Sequence, residues 1–226
     1  MKKTARIKVA PSMMCADFLD LAGQLRVMEE KGIDFLHIDI MDGHFVPNFT
    51  FGPDFCRRLA KATAIPLDIH LMIDNPDDYI PTFAAFGTPA LYIHPQTTLH
   101  PLRTLQLIRS CGAQPGIAID PAVPLEAILP LLAHTELVCV MTVNPGYAGQ
   151  RLIPQTIDKL GKLAAIIDAD HPDVQIEVDG NVSWQNIPVM IEAGARILVA
   201  GSSSLFEPGS DLCSNIDRLY RLIGRT

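Results

Sequence analysis

Three short runs place acids and imidazoles at a spacing of two. Leu36-His37-Ile38-Asp39-Ile40-Met41 and Leu67-Asp68-Ile69-His70-Leu71-Met72 alternate polar residues or methionine with aliphatic ones, and Ile176-Glu177-Val178-Asp179-Gly180 repeats the pattern. Side chains along a β-strand point alternately to opposite faces. His37, Asp39 and Met41 therefore share a face, as do Asp68, His70 and Met72, and Glu177 and Asp179. If the aliphatic faces pack against helices, the polar faces converge in one interior. Acids and imidazoles buried there without partners carry a heavy desolvation cost. A divalent cation removes it. His37, Asp39, His70 and Asp179 offer imidazole nitrogens and carboxylate oxygens, a donor set suited to Zn²⁺, Fe²⁺, Co²⁺ or Mn²⁺. Asp68 and Glu177, one layer deeper, are placed to accept hydrogen bonds from the histidines. A buried polar network without metal is the alternative for the same residues.

A second chemistry lies in glycine-bearing runs. Asn144-Pro145-Gly146-Tyr147-Ala148-Gly149-Gln150, Asp179-Gly180-Asn181 and Ala200-Gly201-Ser202-Ser203-Ser204 each follow an apolar run. Glycine lets backbone N–H groups approach an oxyanion closely. Together the three suggest a phosphate cradle; ordinary turns are the alternative. Met13, Met41, Met72 and Met141 fall at the ends of apolar runs on the same side. They read either as core filler or as a dry wall around a reactive intermediate.

The elements that must hold these residues alternate in type. Strands are expected at Ile7–Met14, Phe35–Met41, Pro66–Ile73, Ala90–His94, Pro115–Ile119, Leu137–Val143, Val174–Val178 and Ile197–Ala200. Helices are expected near 17–31, 53–62, 76–86, 99–110, 124–133, 154–168, 183–193 and 211–223. Ile157, Leu160, Leu163, Ala164 and Ile167 mark one helix face. Asp17, Pro53, Pro76, Pro124 and Pro154 stand where helices begin, and Gly32, Gly87, Gly112 and Gly194 where they end. Eight βα units fill the 226 residues with no linker. This is the pattern of a single-domain α/β (β/α)8 TIM barrel spanning residues 1–226, whose active site lies at the C-terminal ends of the strands. A doubly wound sheet is disfavoured, since no G-x-G-x-x-G follows the first strand.

Composition limits the partners. Lys and Arg number 18 against 25 Asp and Glu, a formal charge of −7. That leaves no basic footprint for nucleic acid, while an anionic small substrate remains compatible with local phosphate binding. No apolar run has the length of a membrane span. The basic start lacks the apolar core of a signal peptide. Cys15, Cys56, Cys111, Cys139 and Cys213 are scattered. They read as free thiols in a reducing cytoplasm.

The segments Ala10–Phe18, His37–Asn48, Leu67–Met72, Val143–Gln150, Glu177–Gly180, Ala193–Ala195 and Ala200–Ser203 resemble the ribulose-phosphate 3-epimerase family, from about Val9 to Phe206. The resemblance implies a ribulose-phosphate-binding barrel that interconverts D-ribulose 5-phosphate and D-xylulose 5-phosphate through an enediolate, with one divalent metal (Zn, Fe, Mn or Co) per chain. His37, Asp39, His70 and Asp179 would be its ligands, with Asp39 and Asp179 also the proton-transfer groups. Ser12, Met41, His70, Met72, Met141 and Asp179 would line the substrate. Gly146, Tyr147, Ala148, Gly149, Gly180, Asn181, Gly201 and Ser202 would surround the phosphate. The partner is a small ketose phosphate, and the family's tendency to assemble implies a homo-oligomer.

The chain departs from the family pattern in places. His94-Pro95-Gln96 stands where His-x-Glu is usual, Gly87-Thr88-Pro89 where Gly-Ala-Asp is usual, Asp120 for Asn, and Asn181 for Gly. None is a ligand position. Because Asn181 borders the phosphate, and because Met141–Gln150 also looks like the branch acting on D-allulose 6-phosphate, a hexulose phosphate stays open as substrate. A non-catalytic phosphosugar-binding barrel is the third reading.

Overall fold

Runs rich in Ile, Val and Leu form a buried parallel sheet, and the helix-forming stretches between them cover it. The computed structural model describes residues 6–87 and 90–225. Its strands are β1 (Lys8–Pro11), β2 (Leu36–Met41), β3 (Leu67–Met72), β4 (Ala90–Ile93), β5 (Gln114–Ile119), β6 (Leu137–Met141), β7 (Gln175–Asp179) and β8 (Ile197–Ala200). They form one eight-stranded parallel sheet in the order β1-β8-β7-β6-β5-β4-β3-β2. A parallel bridge between Ser12 and His37 and a 3.3 Å hydrogen bond from Phe35 N–H to the Val9 carbonyl bring β1 back to β2. This is the (β/α)8 barrel the pattern implied.

The outer layer contains α1 (Leu21–Glu30), α2 (Pro53–Ala62), α3 (Ile80–Ala84), α4 (Pro101–Ser110), α5 (Gln155–Asp170), α6 (Asn186–Glu192) and α7 (Leu212–Leu222). The alternation within each strand divides the apolar residues into two cores. Ile38, Ile40, Ile69, Leu71, Val138, Val140, Ile176 and Val178 face outward and pack with helix residues such as Leu105, Leu160 and Leu163. Ala10, Ala90, Tyr92, Ala118, Leu137, Cys139, Met141 and Ile197 fill the barrel interior. Gly116 makes room for the Tyr92 ring, since a Cβ there would lie 2.5 Å from its Cδ1.

Several expected elements are shorter or of another type. The stretch 124–133 forms two 3-10 turns, Leu125–Ala127 and Leu129–His134. Pro130 lacks an N–H and would clash with the carbonyl four residues back, which an α-helix requires it to approach. Pro81 acts likewise in 76–86, leaving a 3-10 turn at Pro76–Asp78 and the short α3. The helix expected from residue 17 begins at Leu21, because Asp17 accepts from Leu19 N–H at 2.9 Å in a preceding turn. The first strand stops at Pro11, and Met13–Cys15 form a 3-10 turn. The departure at Thr88 and Pro89, and the start of the chain through Ala5, lie outside the described residues. Among the described residues, no helix is long and apolar enough to cross a membrane.

Candidate active site

Strand register assembles the polar cluster. In the β2–β3 pair His37 lies opposite Asp68, Asp39 opposite His70, and Met41 opposite Met72. In the β6–β7 pair Cys139 lies opposite Glu177 and Met141 opposite Asp179. One ligand atom from each of His37, Asp39, His70 and Asp179 lies within 4.8 Å of all the others. The four residues expected to share a metal therefore converge.

The hydrogen bonds around them define which atoms are available. His37 Nδ1 lies 3.1 Å from Asp68 Oδ2 and 3.6 Å from Glu177 Oε1. In the neutral ring a proton on Nδ1 would face these acids and leave Nε2, 3.4 Å from Asp39 Oδ1, as the nitrogen free to ligate. His70 Nδ1 lies 3.6 Å from the same oxygen. Both nitrogens are buried without a hydrogen-bond partner. Lone pairs of two imidazoles aimed at one carboxylate repel unless a proton or a cation stands between them. The donor set and these unpartnered atoms fit a first-row divalent ion.

The electrostatics separate the two aspartates. Burial works against ionisation of Asp39, yet the His37 and His70 imidazoles hold its carboxyl well below the usual range. Burial and the Asp39 charge push Asp179 up to about 7. The same cluster thus pushes its two aspartates in opposite directions. Burial alone would lower His37, but Asp39, Asp68 and Glu177 hold it well above its ordinary value. Burial and Asp68 raise Glu177, which accepts from Tyr92 Oη at 3.2 Å.

Above the cluster opens a solvent-connected pocket. Its floor carries Asp39, Asp179, Ser12, Met41, Met72 and Met141, and its far wall carries Gly146, Tyr147, Ala148, Gly149, Gly180, Asn181, Gly201 and Ser202. These are the residues expected around a phosphosugar, with one difference. His70 is fully buried beneath the floor and does not line the cavity. Gly180 has φ +104°, and a Cβ there would lie 2.9 Å from the backbone nitrogen of Val143, so the β7 loop needs glycine. Asn181 takes the left-handed conformation (φ 46°) that asparagine tolerates. Its amide donates to Ser203 Oγ at 3.2 Å.

The methionine wall differs from expectation in one member. Met13 shares the outer core with Val9, and Met14 lines the cavity in its place. The loops after β2 and β6 meet at the rim. Asn48 Nδ2 donates to the Gly146 carbonyl at 2.8 Å, and Tyr147 Oη to the Pro47 carbonyl at 2.8 Å.

Sequence reasoning missed one buried imidazole. His94, just beyond β4, lies with Nε2 2.8 Å from Nε2 of His70. Its Nδ1 lies 2.9 Å from Asp120 Oδ1. Gln96 Nε2 donates to Asp120 Oδ2 at 3.0 Å. The departures at 96 and 120 therefore touch each other, and Asp120 stands one imidazole away from His70. The available signal was the period of two from Tyr92 to His94, which turns His94 inward.

Comparison with known proteins shows the family. A family model described as the ribulose-phosphate 3 epimerase family matches residues 8–206. A ribulose-phosphate 3-epimerase of Bacillus subtilis (strain 168) is 44% identical over 198 residues, 87% of this chain and 91% of the relative. One of Rhodobacter capsulatus is 46% identical over 204 residues, 90% of this chain and 88% of the relative. A solved mutant tryptophan synthase alpha-subunit from Pyrococcus furiosus superposes with TM-score 0.68 at 15% identity, covering 99% of both chains. That likeness concerns the barrel alone.

Proposed function

This chain belongs to the ribulose-phosphate 3-epimerase family, and from that premise we propose that it interconverts D-ribulose 5-phosphate and D-xylulose 5-phosphate. The observation that carries the reading is the convergence of Asp39 and Asp179 with His37 and His70 at the floor of one cavity. Epimerisation at C3 breaks the C3–H bond on one face of the sugar and forms a new one on the other. The C3 proton is acidic because it lies α to the C2 carbonyl. Asp39 takes that proton, leaving a planar enediolate, and Asp179 delivers a proton to the opposite face. The reverse reaction exchanges their roles. The two aspartates stand on β2 and β7, with β1 and β8 between them in the sheet, so they can flank a sugar from different sides.

His37 Nε2, His70 Nδ1 and a carboxylate oxygen each of Asp39 and Asp179 would hold the divalent ion, drawn from Zn, Fe, Mn or Co. When bound, it supplies a Lewis acid that stabilises negative charge developing on the substrate oxygens. Ser12 orients Asp39, donating to Oδ2 at 2.9 Å. Met14, Met41, Met72 and Met141 keep water from the enediolate. The glycine-bearing loops after β6, β7 and β8 receive the phosphate through backbone N–H groups. The chain works as a single-domain unit in a homo-oligomer in the cytoplasm. A rice relative 40% identical over 215 residues is named a cytoplasmic isoform.

The test is epimerisation of D-ribulose 5-phosphate in ²H₂O. Turnover with deuterium incorporated at C3 supports the reading. Absence of exchange would make the barrel a phosphosugar binder. A preference of about ten-fold or more in kcat/KM for D-allulose 6-phosphate, equivalent to ~1.4 kcal/mol of transition-state binding, would reassign the substrate to a hexulose phosphate.

A further inference from the structure

We infer that His94 and Asp120 are positioning residues that fix the ligating nitrogen of His70, an inference resting on the metal-dependent reading above. Two ring nitrogens 2.8 Å apart share one proton. To bind a cation, Nδ1 of His70 must be bare, so the His70 proton sits on Nε2 and is donated to Nε2 of His94. The neutral His94 ring then carries its own proton on Nδ1, facing Asp120 Oδ1 at 2.9 Å. That contact is close but falls outside good hydrogen-bond alignment, so its contribution is mainly charge on dipole. Each step fixes the next, and the carboxylate at the far end selects the tautomer at the near end.

The array is held from several sides. The His70 and His94 rings stack with centroids 4.9 Å apart at 24°. Phe45, from the loop after β2, covers the other side of His94 with a centroid distance of 4.7 Å. Thr97 Oγ1 donates to the His94 carbonyl at 2.9 Å. Asp120 is fixed by Gln96 and by Lys159 of α5, whose Nζ donates to the carbonyls of Asp120, Pro121 and Val123 at 2.9, 2.6 and 2.6 Å. Without the carboxylate, His94 is free to move its proton to Nε2. That proton would face the one on His70 and drive His70 to the tautomer that cannot ligate.

The experiment loads the protein with Zn²⁺ and measures its removal by a competing chelator. Asp120→Ala is expected to weaken Zn²⁺ binding by about ten-fold or more, as loss of such outer partners does. Asp120→Asn keeps an oxygen facing His94 but loses the charge, so it is expected to weaken Zn²⁺ binding less than Asp120→Ala does, an ordering that a merely structural role would not give. In Co²⁺-loaded protein, the visible absorption of Asp120→Ala should change and that of Asp120→Asn should change less. Should Asp120→Ala not fold, Asp120→Ser carries the same expectation. If the parent binds Zn²⁺ and the folded Ala or Ser variant binds within about two-fold of it, well short of the outer-partner effect, the inference is overturned. If the parent binds no divalent ion, the metal-dependent reading fails and takes the inference with it.

Discussion

Ser12 Oγ donates to Oδ2 of Asp39 at 2.9 Å, while Oδ1 of the same carboxylate faces His37 Nε2 at 3.4 Å and His70 Nδ1 at 3.6 Å. The two oxygens thus have different work. Oδ1 faces the two imidazoles, and Oδ2 is held by Ser12. Ser12 can impose this because its own N–H is held by the Ala200 carbonyl at 3.0 Å. A hydrogen bond to a charged group contributes roughly 1.5–3 kcal/mol. Ser12→Ala is therefore expected to lower kcat/KM by about ten- to a hundred-fold with the melting temperature nearly unchanged. Steady-state rates within about two-fold of the parent, worth only ~0.4 kcal/mol, would remove Ser12 from the machinery.

Asp179→Asn keeps the shape of the side chain and abolishes its proton transfer. General acid–base groups contribute on the order of 10²–10⁴ in rate, so kcat should fall at least that far while circular dichroism stays that of the parent. Deuterium exchange at C3 should be lost with it. A folded variant retaining near-parental kcat would show that the proton comes from elsewhere.

The ligand cluster was legible because it lies on β-strands, where a period of two assigns faces without any tertiary information. His37, Asp39 and His70 needed only alternation. The missed His94 lies on the same kind of strand, but Leu91-Tyr92-Ile93 around it reads as fully apolar, and a lone histidine there gives no chemistry until Asp120 is brought beside it by β5. That pairing is long-range and leaves no spacing signal. The helices failed where proline decided: Pro81 and Pro130 each stood inside a run whose apolar residues suggested a continuous helix. Met13 failed because the same period of two that turns Val9 outward puts Met13 in the outer core, and Met14, on the inward side with Ala10 and Ser12, takes its place.

The rim contacts predict a defect confined to catalysis. Tyr147 is 52% exposed, and its hydroxyl bond to Pro47 ties the β6 loop to the β2 loop. A neutral hydrogen bond contributes about 0.5–1.5 kcal/mol. Tyr147→Phe should raise KM about two- to ten-fold with little change in melting temperature. Combining it with Asn48→Ala, which removes the bond to Gly146, should raise KM further. Unchanged KM in the double variant would mean that the loops close without these bonds.

The raised groups of the cluster set the response to pH. In metal-stripped protein Asp179 keeps its proton up to about 7, whereas in the unfolded chain an aspartate releases it near ~3.9. Between those values the folded state binds the extra proton, so this group's stabilisation is present at low pH and is lost as pH rises through about 7. Glu177 and His37 are shifted upward too and act in the same direction. The lowered Asp39 acts oppositely, but its contribution is complete above the ordinary aspartate range. A divalent ion replaces these same protons, so its binding tightens as pH rises. The difference in melting temperature between Zn²⁺-loaded and stripped protein should therefore widen from about pH 5.5 to about pH 8. Calorimetric scans of both forms across that range measure it. A gap that stays constant would show that the ion and the protons do not share the His37, Asp39, His70 and Asp179 cluster.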